Sequence, residues 1–434
     1  MASTYLTRTL GTPTNNYKWT YSFWIKRHSL GNEETIFNAY GGGFSAIKFT
    51  STNALQIYDY RGSTTVMDKV TTRLFRDTSA WYHIVISNDN SIASPETKFY
   101  INGVQETSFS TTNEYSQNEA NGFNSALPNT IGAFNSGASQ ICNISLSQVN
   151  FIDGTQELPT AFGSVNATSG IWVANSGPTV TYGNNGFFLD MANSSDMGND
   201  VSGNANDFTV GGGTVTQMED TPDNNFATMN PLDNYYSAAT FSNGNNTVAT
   251  AAAPVNWVAS TFQVNKGKWY AECKPTAGTG SGLIGFAGST SKNSTQILET
   301  AGFFGGNYVN NGEYFFNGSG GAYASSFANG DIISVYLDLD NNFVYFAKNG
   351  VLQNSGVPTS GATGTGGKAI TAAALTTNGG YAFACGDGNT ATRTFDWNFG
   401  SPYFAISSGN ADGNGYGNFE YAPPTGYYAL CTKN

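Results

Sequence analysis

The feature that most constrains the fold of this chain is an alternation of apolar and polar residues with a period of two. It recurs throughout the sequence, for example in residues 21–26 (YSFWIK), 81–87 (WYHIVIS) and 343–348 (FVYFAK). A period of two places successive side chains on opposite faces of an extended strand. No segment sustains the 3.6-residue period of an amphipathic helix, and no heptad repeat is present. The pattern therefore predicts an all-β protein.

Two of the Asn-Gly pairs in the sequence mark tight turns between alternating segments. Asn102-Gly103 separates residues 98–101 from 104–106, and Asn349-Gly350 separates residues 343–348 from 351–353. Asn and Gly tolerate the positive φ angles that two-residue hairpin loops require. Each pair therefore predicts a β-hairpin.

The composition excludes several classes of protein. Charged residues make up 11% of the 434-residue chain, against about 25% in an average soluble domain. With 18 Lys and Arg and a net charge of −12, the chain lacks the basic surface that displaces counterions from nucleic acid. Aromatic residues reach 14%, which excludes a disordered chain. We expect a turn-rich protein whose solubility comes mostly from amides and hydroxyls.

Sequence features also bear on the cellular compartment. The first residues lack the apolar run of a secretory signal, and the least charged stretch, residues 248–264, contains Pro254 and Asn256. We expect synthesis in a cytoplasm and no membrane insertion. With no CxxC pair and only two histidines, the four cysteines are predicted to be buried thiols rather than zinc ligands or disulfides: Cys142, Cys273, Cys385 and Cys431.

The chain divides into two predicted domains. Turn-rich sequence extends from residue 193 to Gly213, and residues 220–225 (DTPDNN) follow shortly after. We place the boundary at 215, which gives domains of residues 1–215 and 216–434.

The first half resembles the laminin-G and pentraxin-like jelly rolls of the concanavalin A superfamily. The resemblance rests on residues 21–26, 81–85 and 99–104, a closing segment at 141–149, and a return strand near 186–190. It implies an antiparallel β-sandwich.

The second half resembles a SPRY domain, which is another two-sheet β-sandwich. Residues 266–272 look like its opening strand, and residues 330–340 lead into the second Asn-Gly turn. The ending, residues 398–404 and 421–427, is similar to SPRY proteins encoded by phages. The fold class implied for the whole chain is two tandem β-sandwiches.

This domain order is similar to virion appendage proteins of tailed phages, which are associated with tail fibres, head decorations and host attachment. The resemblance implies a virion location, with other virion proteins and bacterial surface glycans as partners. Phage assemblies are symmetric, so a homo-oligomer is expected. A purely structural role in capsid decoration or tail assembly remains the alternative, and a polysaccharide depolymerase is a further one.

The sequence motifs predict that the chain is not an enzyme. It lacks a nucleophile elbow, a phosphate-binding loop and the Glu-x-Asp-x-x-Glu pattern of related glycosidases. The nearest acidic clusters, Glu33 with Glu34 and Glu114 with Glu119, are interpreted as solvated loop acids. Of the two histidines, His83 is expected to be packed on a strand and His28 to be solvated.

Two sets of candidate site residues remain. Asn410, Asp412 and Asn414 follow the alternating start of a calcium loop, except that Asn replaces the first Asp, so the segment is either a Ca²⁺ site or a plain surface loop. Tyr308, Tyr314 and Tyr323 lie in a Gly/Asn-rich stretch where SPRY domains present ligand loops. They are candidate glycan contacts, with ordinary strand aromatics as the alternative.

Overall fold

The computed structural model describes residues 4–137, 139–235, 238–252, 256–288, 301–388 and 391–434. The chain is all-β, as the alternation predicts, and the antiparallel sheets pair as β-sandwiches. It divides into two compact units, residues 1–217 and 218–434. The division falls two residues beyond the predicted position of 215.

The first unit contains two large sheets and a small hairpin. The eight-stranded sheet has the order β10-β6-β5-β4-β3-β11-β1-β16, the six-stranded sheet has the order β15-β12-β2-β7-β8-β9, and β13 pairs with β14. Their bounds are β1 Tyr5–Thr9, β2 Lys18–Arg27, β3 Glu34–Tyr40, β4 Gly43–Phe49, β5 Ala54–Arg61, β6 Thr64–Leu74, β7 Tyr82–Asp89, β8 Glu96–Ile101, β9 Val104–Glu106, β10 Phe109–Asn113, β11 Pro128–Ile131, β12 Ile144–Asp153, β13 Gly163–Val165, β14 Trp172–Ala174, β15 Phe187–Leu189 and β16 Thr209–Gly212.

The second unit is built from two further sheets. One has the order β17-β20-β30-β22-β23-β24-β25, and the other has the order β18-β19-β31-β21-β26-β27-β28, with β29 added to β27 and β32 to β21. Their bounds are β17 Met229–Tyr235, β18 Thr240–Ser242, β19 Thr247–Ala249, β20 Asn256–Ser260, β21 Lys268–Gly278, β22 Gly282–Ala287, β23 Gly306–Val309, β24 Glu313–Phe316, β25 Ser319–Ala322, β26 Ile333–Asp338, β27 Phe343–Lys348, β28 Val351–Leu352, β29 Lys368–Ala369, β30 Ala382–Asp387, β31 Arg393–Asn398 and β32 Tyr428–Ala429.

Helical structure in the described ranges is confined to single 3-10 turns. They are Pro159–Ala161, Gln353–Ser355, Gly361–Thr363 and Ala373–Leu375. In those ranges, no helix is long and apolar enough to cross a membrane.

Both predicted Asn-Gly hairpins are confirmed. The first joins β8 to β9 and the second joins β27 to β28. Asn102 and Gly103 have φ angles of 49° and 79°, and Asn349 and Gly350 have φ angles of 49° and 77°. These positive values are the ones that a two-residue hairpin loop needs.

Each unit has its own apolar core between its sheets. Strand β2 shows why the sequence alternates: Tyr21, Phe23 and Ile25 belong to the core of the first unit. The residues between them, such as Ser22 and Trp24, are buried too. Strand β2 is therefore covered on both faces. The second unit has a separate core that includes Val258, Ile284 and Phe346.

Two predictions about polar residues are wrong. His28 is 3% exposed and Glu34 is 1% exposed, so neither is solvated. Glu34 lies at the start of β3, where its carboxylate accepts a hydrogen bond from Arg27 at 2.8 Å and another from the Ser29 hydroxyl at 2.6 Å. The local sequence is typical of a loop, but the Glu34 carboxylate is paired with Arg27 inside the unit.

The cysteines are free thiols, and three of the four are buried. Burial raises the pKa of the Cys385 thiol to about 12 and holds that of Cys273 well above its usual value. These two side chains lie in the core of the second unit and pack there as small apolar groups.

Candidate functional site

The first unit has a shallow groove on the outer face of its eight-stranded sheet. Strand β4 illustrates its origin, because the pleat sends alternate side chains to opposite faces. Ile47 and Phe49 point into the core, whereas Phe44, Ala46 and Lys48 point outward. The outward side chains of β4 form the floor of the groove.

Strand β5 extends this floor through cross-strand pairs. In the β4–β5 register, Phe44 lies opposite Tyr60 and Ala46 lies opposite Tyr58. The Phe44 ring is 5.5 Å from the Tyr58 ring and 5.8 Å from the Tyr60 ring, at interplanar angles of 32° and 35°. Three neighbouring aromatic rings thus form a platform on the outside of the sheet.

A loop after β11 supplies a wall beside this platform. The Phe134 ring meets Phe44 edge-on, with centroids 5.2 Å apart and planes at 83°. The loop is held to β3 because the Asn135 backbone N–H donates to the Asn38 side-chain oxygen at 2.9 Å. Phe134 also bonds through its backbone to Ser139.

The far end of the groove is polar. Lys48 pairs with Glu33 at 3.0 Å, and the Gln140 amide donates to the other oxygen of Glu33 at 2.7 Å. The Gln56 amide donates to Asp68 at 2.7 Å. The one ammonium here is neutralised by a carboxylate, while amide groups border the aromatic platform.

The depression between these parts has a volume of about 130 Å³. We call it the outer groove and define it by its lining residues, which are Phe44, Ala46, Lys48, Gln56, Tyr58, Phe134 and Gln140. Aromatic faces next to a few fixed polar groups are typical of small-molecule binding sites. The arrangement suits binding by stacking and hydrogen bonding.

The three predicted contact tyrosines lie elsewhere, in the core of the second unit. Tyr308, Tyr314 and Tyr323 are 0%, 6% and 8% exposed. Their rings pack on one another at 5.7–5.8 Å and on Phe346, and the Tyr308 hydroxyl donates to the Ser325 carbonyl. This placement favours the strand-aromatic alternative, because the ring faces are used in packing.

The predicted calcium segment is a hydrogen-bonded loop near the C-terminus. One Asp412 oxygen accepts the backbone N–H groups of Asn414 and Tyr416, and the other accepts the N–H groups of Ala429 and the Asn434 side chain, at 2.7–3.0 Å. Four donors saturate a carboxylate.

The two asparagines of that segment also have protein partners. The Asn410 side chain donates to the Glu420 carbonyl at 2.9 Å, and the Asn414 side chain donates to Asn434 at 2.8 Å. Among the described residues, no three His, Cys, Asp or Glu side chains are grouped to hold a metal ion. The geometry favours the surface-loop alternative, and metal binding stays a prediction.

The remaining acidic candidates are engaged by neighbours. Glu114 pairs with Lys69 at 2.5 Å and also accepts the Thr97 backbone N–H. Glu119 accepts the Ser116 N–H at 3.0 Å. Glu33 is exposed, as predicted, whereas Glu114 and Glu119 are half-buried.

His83 is packed, as predicted, and is fully buried. Its ring stacks on Trp24 at a centroid distance of 4.8 Å, and the Trp172 ring lies nearly parallel to it with its centroid 5.9 Å away. Its Nδ1 accepts the Trp172 indole N–H and its Nε2 bonds the Ser22 hydroxyl, both at 2.9 Å. This histidine is buried against indole rings, which gives it a packing role.

Sequence reasoning missed the outer groove. One signal was available: Phe44, Tyr58 and Tyr60 stand at positions of β4 and β5 where alternation with core residues predicts outward, polar side chains. Outward aromatic residues on neighbouring strands indicate a binding face. The contribution of Phe134 from a distant loop had no local signal.

Comparisons with known proteins agree with the β-sandwich fold. A family model of the concanavalin A-like lectin/glucanases superfamily matches residues 2–155. No curated protein matches the chain.

Similar solved structures are at low sequence identity. The SPRY domain of human HERC1 has 14% identity and a TM-score of 0.31, covering 39% of this chain and 96% of that one. A candidate carbohydrate binding protein from Bacteroides ovatus has 16% identity and a TM-score of 0.31, covering 49% and 58%. A pentraxin from Limulus polyphemus has 14% identity and a TM-score of 0.28, covering 40% and 86%. The outer groove lies within residues 2–155, the range that the family model matches.

Proposed function

We propose that this chain binds glycans through the outer groove, as a protein displayed on the virion of a tailed phage. The observation that carries the glycan-binding part is the platform of Phe44, Tyr58 and Tyr60 beside the amides of Gln56 and Gln140. The groove lies within the segment that matches the lectin and glucanase superfamily.

The chemistry of a sugar suits this arrangement. One face of a pyranose ring presents C–H groups, which pack on an aromatic ring, while its hydroxyls seek donors and acceptors at the ring edge. Aromatic side chains offer large contact area with specific geometry, and side-chain amides offer both donor and acceptor. The neutral Lys48–Glu33 pair adds polar atoms without a free charge.

A glycan array followed by titration of the purified full chain tests this proposal. We expect Phe44→Ala and Tyr58→Ala each to weaken binding of the best array ligand by about tenfold, equivalent to about 1.4 kcal/mol. Tyr403→Ala is the matched control, because Tyr403 is an exposed aromatic residue of the second unit. Absence of array binding, or equal losses from all three variants, would contradict the proposal.

The proposed role has no catalytic step. The carboxylates beside the groove are engaged, Glu33 by Lys48 and Gln140, and Asp68 by Gln56. We expect no new reducing ends when the protein is incubated with host polysaccharide. Their release would favour a depolymerase instead.

The virion part of the proposal is supported by the resemblance of the domain order to tailed-phage appendage proteins. Cryo-electron microscopy of intact particles, with this chain located in the density, tests it directly. A position at a fibre tip supports attachment to the host, and a position flush with the capsid supports a structural decoration. Absence of the chain from purified particles would overturn the virion role and leave glycan binding standing.

A further inference from the structure

We infer that Glu33 sets the charge selectivity of the outer groove, so that the groove admits uncharged sugars and excludes uronic acids and other acidic sugars. This inference rests on the proposed glycan binding and names the class of sugar. It follows from the polar end of the groove, where Lys48 is the one cationic side chain among the lining residues. Glu33 acts there through Lys48 and Gln140, which both bond to its carboxylate.

Lys48 is a sheet residue whose side chain is mostly covered. On β4 it lies opposite Gln56 of β5 on one side and opposite Thr35 of β3 on the other. Its side chain is 15% exposed. An ammonium that is largely withdrawn from water is screened less by solvent and salt than a fully exposed one. Without an anionic partner, Lys48 would therefore attract a carboxylate that enters the groove.

Glu33 provides this partner in a fixed position. One of its carboxylate oxygens lies 3.0 Å from Lys48 Nζ, and the other accepts the Gln140 side-chain N–H at 2.7 Å. The Gln140 side-chain oxygen in turn accepts the Thr35 hydroxyl at 2.6 Å, and the Gln140 backbone oxygen accepts the Thr35 N–H at 2.9 Å. These bonds connect the Glu33 carboxylate to β3, although the Glu33 side chain is 42% exposed. Glu33 is therefore a positioning residue for both polar side chains at this end of the groove.

The charges at the groove leave an acidic ligand without a free cation. Besides Glu33, Asp68 lies on the Gln56 side, where it accepts the Gln56 amide at 2.7 Å. One ammonium against two carboxylates gives this end a net negative charge. An acidic sugar would have to displace Glu33 from Lys48, whereas an uncharged sugar leaves that pair intact. One such charge contact corresponds to roughly fivefold in affinity.

A glycan array that carries uncharged glycans together with glucuronic and galacturonic acid glycans gives the first test on the full chain. We expect the wild-type signals to be confined to uncharged glycans. Titration calorimetry then compares cellotriose with its uronic acid counterpart, and trigalacturonic acid with galactotriose of the same linkage. Within each pair a carboxylate replaces the primary alcohol group, and the uncharged member is expected to bind roughly fivefold tighter.

Glu33→Gln keeps the shape of the side chain and leaves the Lys48 ammonium without its counter-charge. We expect the array signals of this variant to extend to acidic glycans, and the acidic member of each pair to gain roughly fivefold relative to the uncharged one. The gain should shrink at high salt, because it comes from an ion pair. Glu96→Gln is the matched control: Glu96 pairs with Lys98 at 3.3 Å on β8 of the other sheet, so this variant has the same net charge and an unchanged groove.

The double variant Glu33→Gln with Lys48→Gln distinguishes attraction by the ammonium from relief of repulsion by Glu33. Both variants lack the Glu33 charge, but only the single variant has an unpaired ammonium in the groove. We expect the gain for acidic sugars to disappear in the double variant. Thermal unfolding checks the folding of each variant. If Glu33→Gln does not fold, Lys48→Gln alone, which leaves Glu33 unpaired, is expected to widen the preference for the uncharged member.

The outcomes separate this inference from the proposed function. Acidic glycans among the strongest wild-type signals, an unchanged preference in Glu33→Gln, or a gain that persists in the double variant overturns the selectivity and leaves glycan binding standing. Absence of binding to every glycan of the array overturns the proposed function itself.

Discussion

At the scale of single residues, the two histidines show how strongly burial lowers the pKa of an imidazole. His83 is buried against the Trp24 and Trp172 rings, and His28 is buried with its Nε2 bonded to the Ser145 hydroxyl at 2.8 Å. Desolvation lowers the pKa of each to about 3, and Lys26 adds to the effect on His28. Both imidazoles are therefore neutral in the folded protein across the physiological range.

This burial predicts a loss of stability in acid. Below an unfolded-state pKa near 6.5 the unfolded chain binds a proton at each histidine, whereas the folded chain does so only near pH 3. Stability should therefore fall as the pH falls from 6.5 towards 3, by about 2 kcal/mol per histidine at pH 5. Urea unfolding of the chain at pH 7 and pH 5 measures the loss.

Imidazole NMR gives the direct control, because the chain has only two histidines. We expect neither ring to titrate between pH 8 and pH 5 in the folded protein. A midpoint near 6.5 for either ring would show that it is solvated.

At the scale of elements, the Trp172 side chain joins the β13–β14 hairpin to the six-stranded sheet. The Trp172 indole donates to His83, and its ring covers Gly103 in the turn between β8 and β9. A Cβ atom at Gly103 would lie 2.4 Å from that ring. The Asn102-Gly103 turn therefore serves two purposes: it reverses the chain, and it leaves room for the covering tryptophan.

Substitution of two glycines with positive φ distinguishes the backbone strain of the turn from the space that Trp172 needs. Gly103→Ala must both strain the backbone and displace Trp172, whereas Gly62→Ala, at φ 53°, meets no atom within 4 Å and carries the backbone strain alone. We expect Gly62→Ala to cost about 1–2 kcal/mol of unfolding free energy and Gly103→Ala to cost more. Urea unfolding and amide hydrogen exchange of residues 163–174 measure the difference.

Equal losses from the two substitutions would contradict this account of the turn. Faster exchange of the hairpin in Gly103→Ala alone would support it, since displacement of Trp172 should loosen β13 and β14 without affecting the rest of the sheet.

At the scale of the whole molecule, several buried carboxylates accept hydrogen bonds from amide groups instead of pairing with Lys or Arg. Asp153 accepts the N–H groups of Thr14, Asn15 and Asn185 and the side-chain amide of Asn124, at 2.6–3.1 Å. Asp412 is saturated in the same manner, and Glu272 accepts two backbone N–H groups, a tyrosine hydroxyl and an amide. Amide donors take the place that Lys and Arg occupy in more highly charged proteins.

This mode of pairing predicts a stability that depends little on salt. Screening weakens exposed ion pairs, but short hydrogen bonds from N–H groups to buried carboxylates are screened much less. We expect the unfolding free energy of the chain not to fall between 0.1 M and 1 M NaCl. A marked decrease would show that surface ion pairs such as Lys48–Glu33 contribute more than the buried carboxylates.

Local patterns were sufficient for much of the fold. The period of two predicted the strands, and Asn102-Gly103 and Asn349-Gly350 located hairpins at β8–β9 and β27–β28, because both signals act over a few residues. They did not locate the site. Tyr308, Tyr314 and Tyr323 lie in Gly/Asn-rich sequence that reads as loop, yet their rings pack together in a core formed by distant strands.

The sequence by itself determined that this protein is all-β, poor in charge, and turned at its Asn-Gly pairs, since these properties depend on composition and on near neighbours. The fold was needed to show which aromatic residues from distant segments meet at the surface and which carboxylates are buried. The outer groove joins Phe44 and Tyr58 of adjacent strands to Phe134 of a loop some ninety positions beyond Phe44. Such a surface is created by sheet register and loop packing. These bring together residues whose contact cannot be predicted from their local sequence.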